Sequence, residues 1–318
     1  MSGEASPFLY SDTNKRYYTY DYWCRHTFGG KCAKIPLDAG LTCPNIDGRC
    51  GRGGCIYCSS RGGGDFAASS ALSLAAQFAV GREALAHKWP VDRCIAYFQA
   101  HTNTYAPTET LRVLFEEVLT YPSVVGLNIA TRADCLPPLT VSLLDDLSRR
   151  TTLTVELGLQ SAHDRTAALI GRGHTWADFT EGYAALRRGA PAALTCIHLI
   201  FGLPGESEED MLDTARAVAR LHPDQVKIHS LHVLSGTVLG QMYEAGAYTP
   251  MEEEAYVRAV VRTLELLPPD TVIARLTGDG AAANLLAPLW SRRKRAVMAA
   301  IDRTLAFENT WQGKQYQL

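Results

Sequence analysis

Residues 42–58 read T-C-P-N-I-D-G-R-C-G-R-G-G-C-I-Y-C and follow directly on the apolar stretch Ile35–Leu41. Cys43, Cys50, Cys55 and Cys58 fall in this one loop. Thiolates grouped so tightly in a large chain are metal ligands as a rule, because soft sulfur binds iron–sulfur clusters and zinc. Five glycines, Gly40, Gly48, Gly51, Gly53 and Gly54, lie in or beside the loop. Glycine opens backbone angles closed to other residues, so the loop can wrap an inorganic centre and aim N–H groups at its sulfurs. Four thiolates would close a tetrahedral zinc site. Three would leave one iron of a 4Fe–4S cluster open to a substrate or cofactor. Spacing alone leaves both readings standing.

Outward from the loop, short apolar runs alternate with amphipathic stretches. Strands are predicted at Ile35–Leu41, Cys94–Gln99, Val124–Thr131, Leu153–Gln160, Leu194–Phe201, Val226–Leu231 and Thr271–Leu276. Several are apolar almost throughout, as expected of parallel strands covered on both faces. Helices are predicted near Leu72–His87, Glu109–Leu119, Leu139–Arg149, Trp176–Arg187, Glu208–Leu221 and Glu253–Leu267. This rhythm argues for βα units with right-handed crossovers, hence an α/β protein with a parallel sheet or barrel. The cysteine loop then sits at the C-terminal end of the first strand, where such folds do chemistry.

Other polar residues fall at the same ends. Gln99, His101, Thr102 and Asn103 follow one strand, and Thr131, Arg132 and Asp134 the next. Glu156, Gln160 and Ser161 ride on or just after another, and His198 lies within I-H-L-I-F-G-L-P-G-E. Lys227, His229 and His232 are read as alternating along 226–233 and facing one side. A single polar residue on an apolar strand is usually a satisfied core group. Several strands delivering polar groups to one rim read as an active site, since a barrel interior otherwise fills with branched apolar side chains.

The composition, 47% hydrophobic and 20% charged with a net charge of −2, is that of an ordinary globular protein. No apolar run approaches the ~18 residues of a membrane span. The charge gives no global footprint for nucleic acid. Two local patches stand out: Asn14–Lys15–Arg16 with the aromatics Tyr17 to Trp23, and Arg292–Arg293–Lys294–Arg295. Cations interleaved with aromatics can grip phosphates and stack bases; a solvated helix face and a core-packed aromatic segment explain them equally well. Nine cysteines and a polar start, Met1–Pro7, argue against a disulfide framework and for a reduced cytoplasmic setting. The chain divides into an aromatic and basic segment (1–30), a core barrel (31–240) and a C-terminal extension (241–318). Regular alternation weakens across Ser235–Pro250, and the tail N-T-W-Q-G-K-Q-Y has no readable role.

The loop resembles the cluster loop of radical S-adenosylmethionine (SAM) enzymes, in the variant with eleven residues between the first two cysteines. Cys55-Ile56-Tyr57-Cys58 is similar to their C-x-aromatic-C ending. N-K-R-Y-Y, G-L-T-C-P-N-I-D-G, Y-F-Q-A-H-T-N-T-Y-A-P, I-A-T-R-A-D-C-L-P, V-E-L-G-L-Q-S, G-L-P-G-E, K-I-H-S-L-H-V-L, T-G-D-G and the terminal Q-G-K resemble the YtqA/YhcC group. The likeness covers nearly the whole chain. It implies a partial (β/α)6 barrel with a short N-terminal segment and a helical C-terminal extension. It implies a 4Fe–4S cluster on Cys43, Cys55 and Cys58, with Cys50 a bystander whose presence departs from the pattern.

The resemblance implies that SAM, bound at the open iron, is cleaved to a 5′-deoxyadenosyl radical that abstracts a substrate hydrogen, with the protein excluding water. Gln99 and Ala100 stand where related enzymes hold the SAM amino group, although the usual glycine signature is absent. Gln160 and Arg172 keep the spacing of a SAM-contacting pair, His198 lies where an acidic residue is usual, and Tyr57 is expected near the adenine. Satisfied local hydrogen bonds are the alternative for each. The YtqA-like branch implies transfer RNA as partner, an electron donor such as flavodoxin or ferredoxin, and no membrane. The implied reaction trims 5-carboxymethylaminomethyluridine at the wobble position to aminomethyluridine. Arg132 or Lys227 would hold the substrate carboxylate, with a salt bridge as the alternative for both. A small-molecule or protein substrate is one competing reading, and a zinc-stabilised binding module using all four cysteines is another.

Overall fold

The computed structural model describes residues 8–88, 90–278 and 283–317. The polar start at 1–7, and Asp279 and Gly280 of the T-G-D-G segment, lie outside the described residues. In chain order the elements are α1 (Tyr20–Phe28), β1 (Ala33–Leu37), α2 (Leu74–Ala86), β2 (Cys94–Phe98), α3 (Thr108–Leu119), β3 (Val124–Thr131), α4 (Pro138–Ser148) and β4 (Thr152–Gln160). They continue with α5 (Asp164–Leu169), α6 (Trp176–Gly189), β5 (Leu194–Phe201), α7 (Glu208–Leu221), β6 (Gln225–Ser230) and β7 (Val233–Leu234). The last are α8 (Val238–Glu244), α9 (Glu253–Leu266), β8 (Val272–Arg275), β9 (Leu285–Ala287) and α10 (Lys294–Phe307). The chain divides into two compact units, and β5 starts in one and ends in the other.

One unit comprises Cys24–Leu159 and Gly171–Cys196. Here β1, β2, β3 and β4 pair in parallel in that order. Every residue of β2, C-I-A-Y-F, is buried, which is why this run carries no polar alternation. On one side Phe98 meets Phe115 of α3 edge-on, ring centroids 5.0 Å apart, a favoured aromatic geometry. The first strand lies at Ala33–Leu37, earlier than the predicted Ile35–Leu41. Asp38 leaves the ladder because its N–H is taken by Gln77 Oε1 at 2.8 Å and its own Oδ1 accepts from Gly40 N at 2.9 Å. Such side-chain to backbone bonds compete with strand pairing.

The other unit comprises the chain up to Trp23, Gln160–Ile170 and the chain from Ile197 onward. The order here is β5-β6-β8, with β6 and β8 parallel, and β7 and β9 form a separate antiparallel pair. Ser207 and Asp210 close a reciprocal capping box at the start of α7, satisfying donors the first helical turn cannot pair internally. The tail that sequence pattern left unread is a strap. Gln312, 4% exposed, donates to the carbonyls of Pro268 and Thr271 at 2.6 and 2.7 Å and accepts from Tyr18 N at 2.9 Å. Ile273 N in turn donates to Tyr18 O at 2.8 Å, so the aromatic N-terminal segment lies along β8.

Both basic patches have local partners. Lys15 pairs with Asp302, and Arg16 donates to Asn309 Oδ1 at 3.0 Å. Arg293 is ion-paired to Glu253 at 2.6 Å and Arg292 donates to Leu285 O at 3.3 Å. No helix among the described residues is long and apolar enough to cross a membrane.

Candidate metal centre

The loop after β1 folds on its own carbonyls. Ile46 N donates to Cys43 O at 2.8 Å, Cys50 N to Pro44 O at 2.8 Å, Gly54 N to Asn45 O at 2.9 Å and Cys58 N to Cys55 O at 3.0 Å. Gly53 and Gly54 take φ of 81° and 84°, a left-handed region that side-chain-bearing residues avoid. These two residues turn the chain back so that Cys55 is buried and Cys43 and Cys58 are half-buried.

The Cys55 and Cys58 thiols are coupled to each other electrostatically. The neighbouring Cys58 thiol holds the Cys55 thiol well below the usual range; burial opposes this, and the Arg172 charge reinforces it. The Cys55 thiol in turn pushes the Cys58 thiol up, with burial and the Cys55 and Cys43 charges adding to it. Asn45, 1% exposed, donates from Nδ2 to Cys55 Sγ at 3.3 Å. Cys50 is different. It is exposed, on the turn closed by the Asp47–Arg52 bridge, and lines a cavity of about 820 Å3 with Arg49, Tyr105, Asp134 and Cys135.

Sequence reasoning did not single out the segment Gly171–Arg172–Gly173 as a unit, nor Asn45. Asn45 Nδ2 also reaches Gly171 O at 2.9 Å and Arg172 O at 2.8 Å, so one amide ties the cysteine loop to this segment. From β3, Arg132 completes the clamp. Its Nη1 donates to Arg172 O at 2.7 Å and its Nη2 to Gly173 O at 3.3 Å. Nε and Nη2 bind both oxygens of Asp134 at 2.9 and 2.8 Å. Arg132 is 1% exposed. Burial alone would lower its basicity, but the Asp134 hydrogen bonds and charge win and hold it above its ordinary value. The ion pair set out as the alternative for Arg132 is therefore present, and the guanidinium faces backbone carbonyls.

Arg172 itself is 6% exposed and donates from Nη2 to Gly158 O, while its buried Nε has no acceptor among the described residues. Gly173 has φ of 72°, and a Cβ there would stand 2.4 Å from Asn45 Oδ1 and 3.0 Å from Cys50 Cβ. Gly173→Ala is therefore expected to cost about 1–3 kcal/mol from backbone strain alone and to displace Asn45. Iron retained per chain after reconstitution and desalting should fall well below wild type, which colorimetric iron analysis checks; unchanged iron would remove Asn45 from the argument.

The remaining predicted residues fall as follows. Tyr57 is half-buried; burial first, then the Cys55 and Cys58 charges, push its phenol well above the usual range. Gln99 donates from Nε2 to Gly63 O at 2.8 Å, and Ala100, 1% exposed, packs so closely on Gly64 that a Cβ there would stand 2.6 Å from its methyl. In the other unit, Gln160 ends β4 with φ of 74°, a conformation non-glycine residues adopt at a cost and most often at functional sites. His198 on β5 lies with its ring centroid 5.4 Å from that of His229 on β6. Lys227, 3% exposed, pairs in register with Arg275 of β8. The expected alternation of Lys227, His229 and His232 is corrected: β6 ends at Ser230, and His232 lies beyond it and out of phase with the two-residue repeat.

The sheet face of the first unit carries a further polar set. Glu156, 0% exposed, accepts from Asn128 Nδ2 at 2.6 Å and from Lys34 Nζ at 3.2 Å, and Lys34 lies over the Tyr97 ring at 5.5 Å. Glu156 was expected at the rim. Lys34 was missed because the first strand was read as starting one residue after it.

Residues 45–218 match the Radical SAM superfamily and residues 223–306 the Radical_SAM C-terminal domain. The chain belongs to the radical SAM superfamily. The Bacillus subtilis protein YtqA is 45% identical over 99% of this chain and 97% of its own length. A tRNA uridine(34) acetyltransferase of Dehalococcoides mccartyi is 33% identical over 52% of this chain and 36% of its own. The radical SAM fold of the chain is seen in the solved structure of Methanocaldococcus infernus Elp3, with a TM-score of 0.64 at 20% identity, covering 88% of this chain and 64% of that one. Radical SAM enzymes use a 4Fe–4S cluster and SAM, and the residues present fit both. A three-thiol set with an amide donor on one sulfur suits a cluster. A buried guanidinium beside it, whose Nε–H has no acceptor among the described residues, suits an anionic group of the cofactor.

Proposed function

We propose that this radical SAM enzyme acts on transfer RNA at the wobble uridine, converting 5-carboxymethylaminomethyluridine to aminomethyluridine. A relative named for action on tRNA uridine 34 shares half of the chain and supports the substrate class. The observation that carries the catalytic part is the clamp of Asn45 and Arg132 on Gly171–Arg172–Gly173 beside the cysteines.

Cys43, Cys55 and Cys58 would hold the cluster, leaving Cys50 outside. With SAM bound, that centre supplies one-electron cleavage of the sulfonium and hydrogen-atom abstraction from a substrate carbon. The protein's own work is placement. Asn45 donates to the Cys55 sulfur and fixes the loop, and Arg172 presents to an anion its Nε–H, which has no acceptor among the described residues. Gln160 offers a side-chain amide from a backbone held in the left-handed region, and Gln99, Ala100 and Tyr57 shape the surroundings of the cofactor. Arg132 acts as a positioning residue. Lys227 is the residue we assign to the substrate carboxylate: it is buried and stands in register with Arg275, so two cationic side chains lie side by side. His198, with its ring near His229, lies in the same set.

The test is anaerobic turnover of the reduced, reconstituted enzyme on tRNA from cells lacking the modification's later steps, with mass spectrometry of digested nucleosides. Loss of carboxymethylaminomethyluridine matched by aminomethyluridine is the expected result. Deoxyadenosine formation with unchanged tRNA would reject the substrate and leave the radical chemistry standing.

A further inference from the structure

Away from the cluster loop, the N-terminal aromatic segment and the C-terminal tail meet in a ladder of four side chains, all within one unit. The Phe8 and Trp311 rings lie with centroids 6.3 Å apart at an interplanar angle of 42°. The Arg16 guanidinium sits over the Phe8 ring at 4.9 Å, and the Lys314 ammonium over the Trp311 ring at 5.0 Å. Asn309 joins the two cations: its Oδ1 accepts from Arg16 Nη1 at 3.0 Å and its carbonyl from Lys314 Nζ at 3.0 Å. Between Trp311 and Lys314 in the chain, the buried Gln312 pins the tail through Pro268, Thr271 and Tyr18, so the ladder stands on a fixed base.

These bonds order the two cations without cancelling their charge. Arg16 also donates to Thr310 O at 3.4 Å, so its acceptors, like that of Lys314, are neutral, and neither cation has a carboxylate partner among the described residues. Two carboxylates of α10 and its end are taken by other cations: Asp302 by Lys15, and Glu308 by Arg262 at 2.8 Å. The rings beside Arg16 and Lys314 meet solvent. Trp311 is 37% exposed, Tyr10 39% and Phe307, on the last turn of α10, 92%. Tyr10 stacks on Tyr18 at 4.4 Å and 13°, and Tyr22 stands edge-on to Tyr18 at 5.7 Å. Large rings left in water this close together mark an interaction site.

We propose that this face is a docking surface for transfer RNA, with unpaired bases stacking on Trp311 and Tyr10 and backbone phosphates held by Arg16 and Lys314. The proposal rests on the tRNA reading given above and adds the place of contact. RNA is the occupant that uses both features of the face. A ring beside a cation offers a base its π-face and the adjoining phosphate a counter-charge, so one nucleotide satisfies both. An acidic protein would answer only the charges. A two-fold contact between copies through this face would bring the same cations together. Because Asn309 already holds Arg16 and Lys314, binding costs them little side-chain freedom.

Binding of fluorescently end-labelled bulk tRNA to the cluster-loaded enzyme, followed anaerobically by anisotropy across a salt series, tests this. Arg16→Gln and Lys314→Gln should each make the slope of log affinity against log salt shallower by about 0.7, the value of one single-strand phosphate contact. Trp311→Ala should weaken binding about 5- to 150-fold, the range for one lost stacked base, with the slope unchanged. Arg149→Gln, which removes an exposed charge from the other unit, should change neither. Lys314 is exposed, so its variant decides the question even where Trp311→Ala fails to fold. Wild-type affinity and slope in the ladder variants would overturn the surface and leave tRNA as the substrate. Failure of the wild type to bind tRNA at low salt would overturn the surface and the substrate reading together. A wild-type dimer that the ladder variants dissociate, with tRNA affinity unchanged, would give the face to a second copy instead.

Discussion

Cys43→Ala, Cys55→Ala and Cys58→Ala should each abolish cluster binding and SAM cleavage, while Cys50→Ala keeps both within about twofold of wild type. Three ligands leave one iron free for the cofactor, so losing one of them removes the site. The contrast with Cys50 follows from position. Cys55 is buried and takes a hydrogen bond from Asn45, and Cys58 is half-buried three residues on, whereas Cys50 projects from an exposed turn into the cavity shared with Tyr105 and Asp134. Iron content, visible absorbance and deoxyadenosine formation in the four variants decide the matter. Equal damage from Cys50→Ala and Cys43→Ala would restore the four-thiolate zinc reading.

Arg132→Met should be the most destabilising single change in the first unit, by about 3–5 kcal/mol, because it leaves the Asp134 carboxylate without its bidentate partner. It also removes donors from two buried carbonyls, Arg172 O and Gly173 O, each costly to leave unsatisfied. Chemical denaturation of the metal-free protein reads the loss, and Asp134→Leu added to Arg132→Met should recover part of it. A substrate-holding Arg132 predicts the opposite pattern: unchanged denaturation with a raised KM for tRNA.

The strand positions were legible because parallel strands covered on both faces read as continuous apolar runs. Leu194–Phe201 and Val124–Thr131 match their predicted bounds residue for residue. The first strand slipped because Pro36 and Asp38 blur its end and Lys34 hides its beginning; only the pairing of Ala33 with Cys94 settles the register. The cysteine loop was legible from composition. The clamp was not, since Asn45, Arg132 and Gly171–Gly173 are brought together by tertiary folding, and hydrogen bonds to backbone carbonyls leave no residue-type signature. Nor was the tail legible: Gln312 earns its burial by capping carbonyls at Pro268 and Thr271, more than forty positions away. His232 stands an odd number of residues beyond His229 and past the strand end at Ser230, so it does not share a face with Lys227 and His229.

The most direct test of the cluster assignment is metal and product analysis of the wild-type chain, reconstituted anaerobically with iron and sulfide, then reduced in the presence of SAM. The account predicts a brown protein with about four irons per chain, and 5′-deoxyadenosine formed together with methionine. A colourless protein holding one zinc per chain, with SAM intact after reduction, would contradict it.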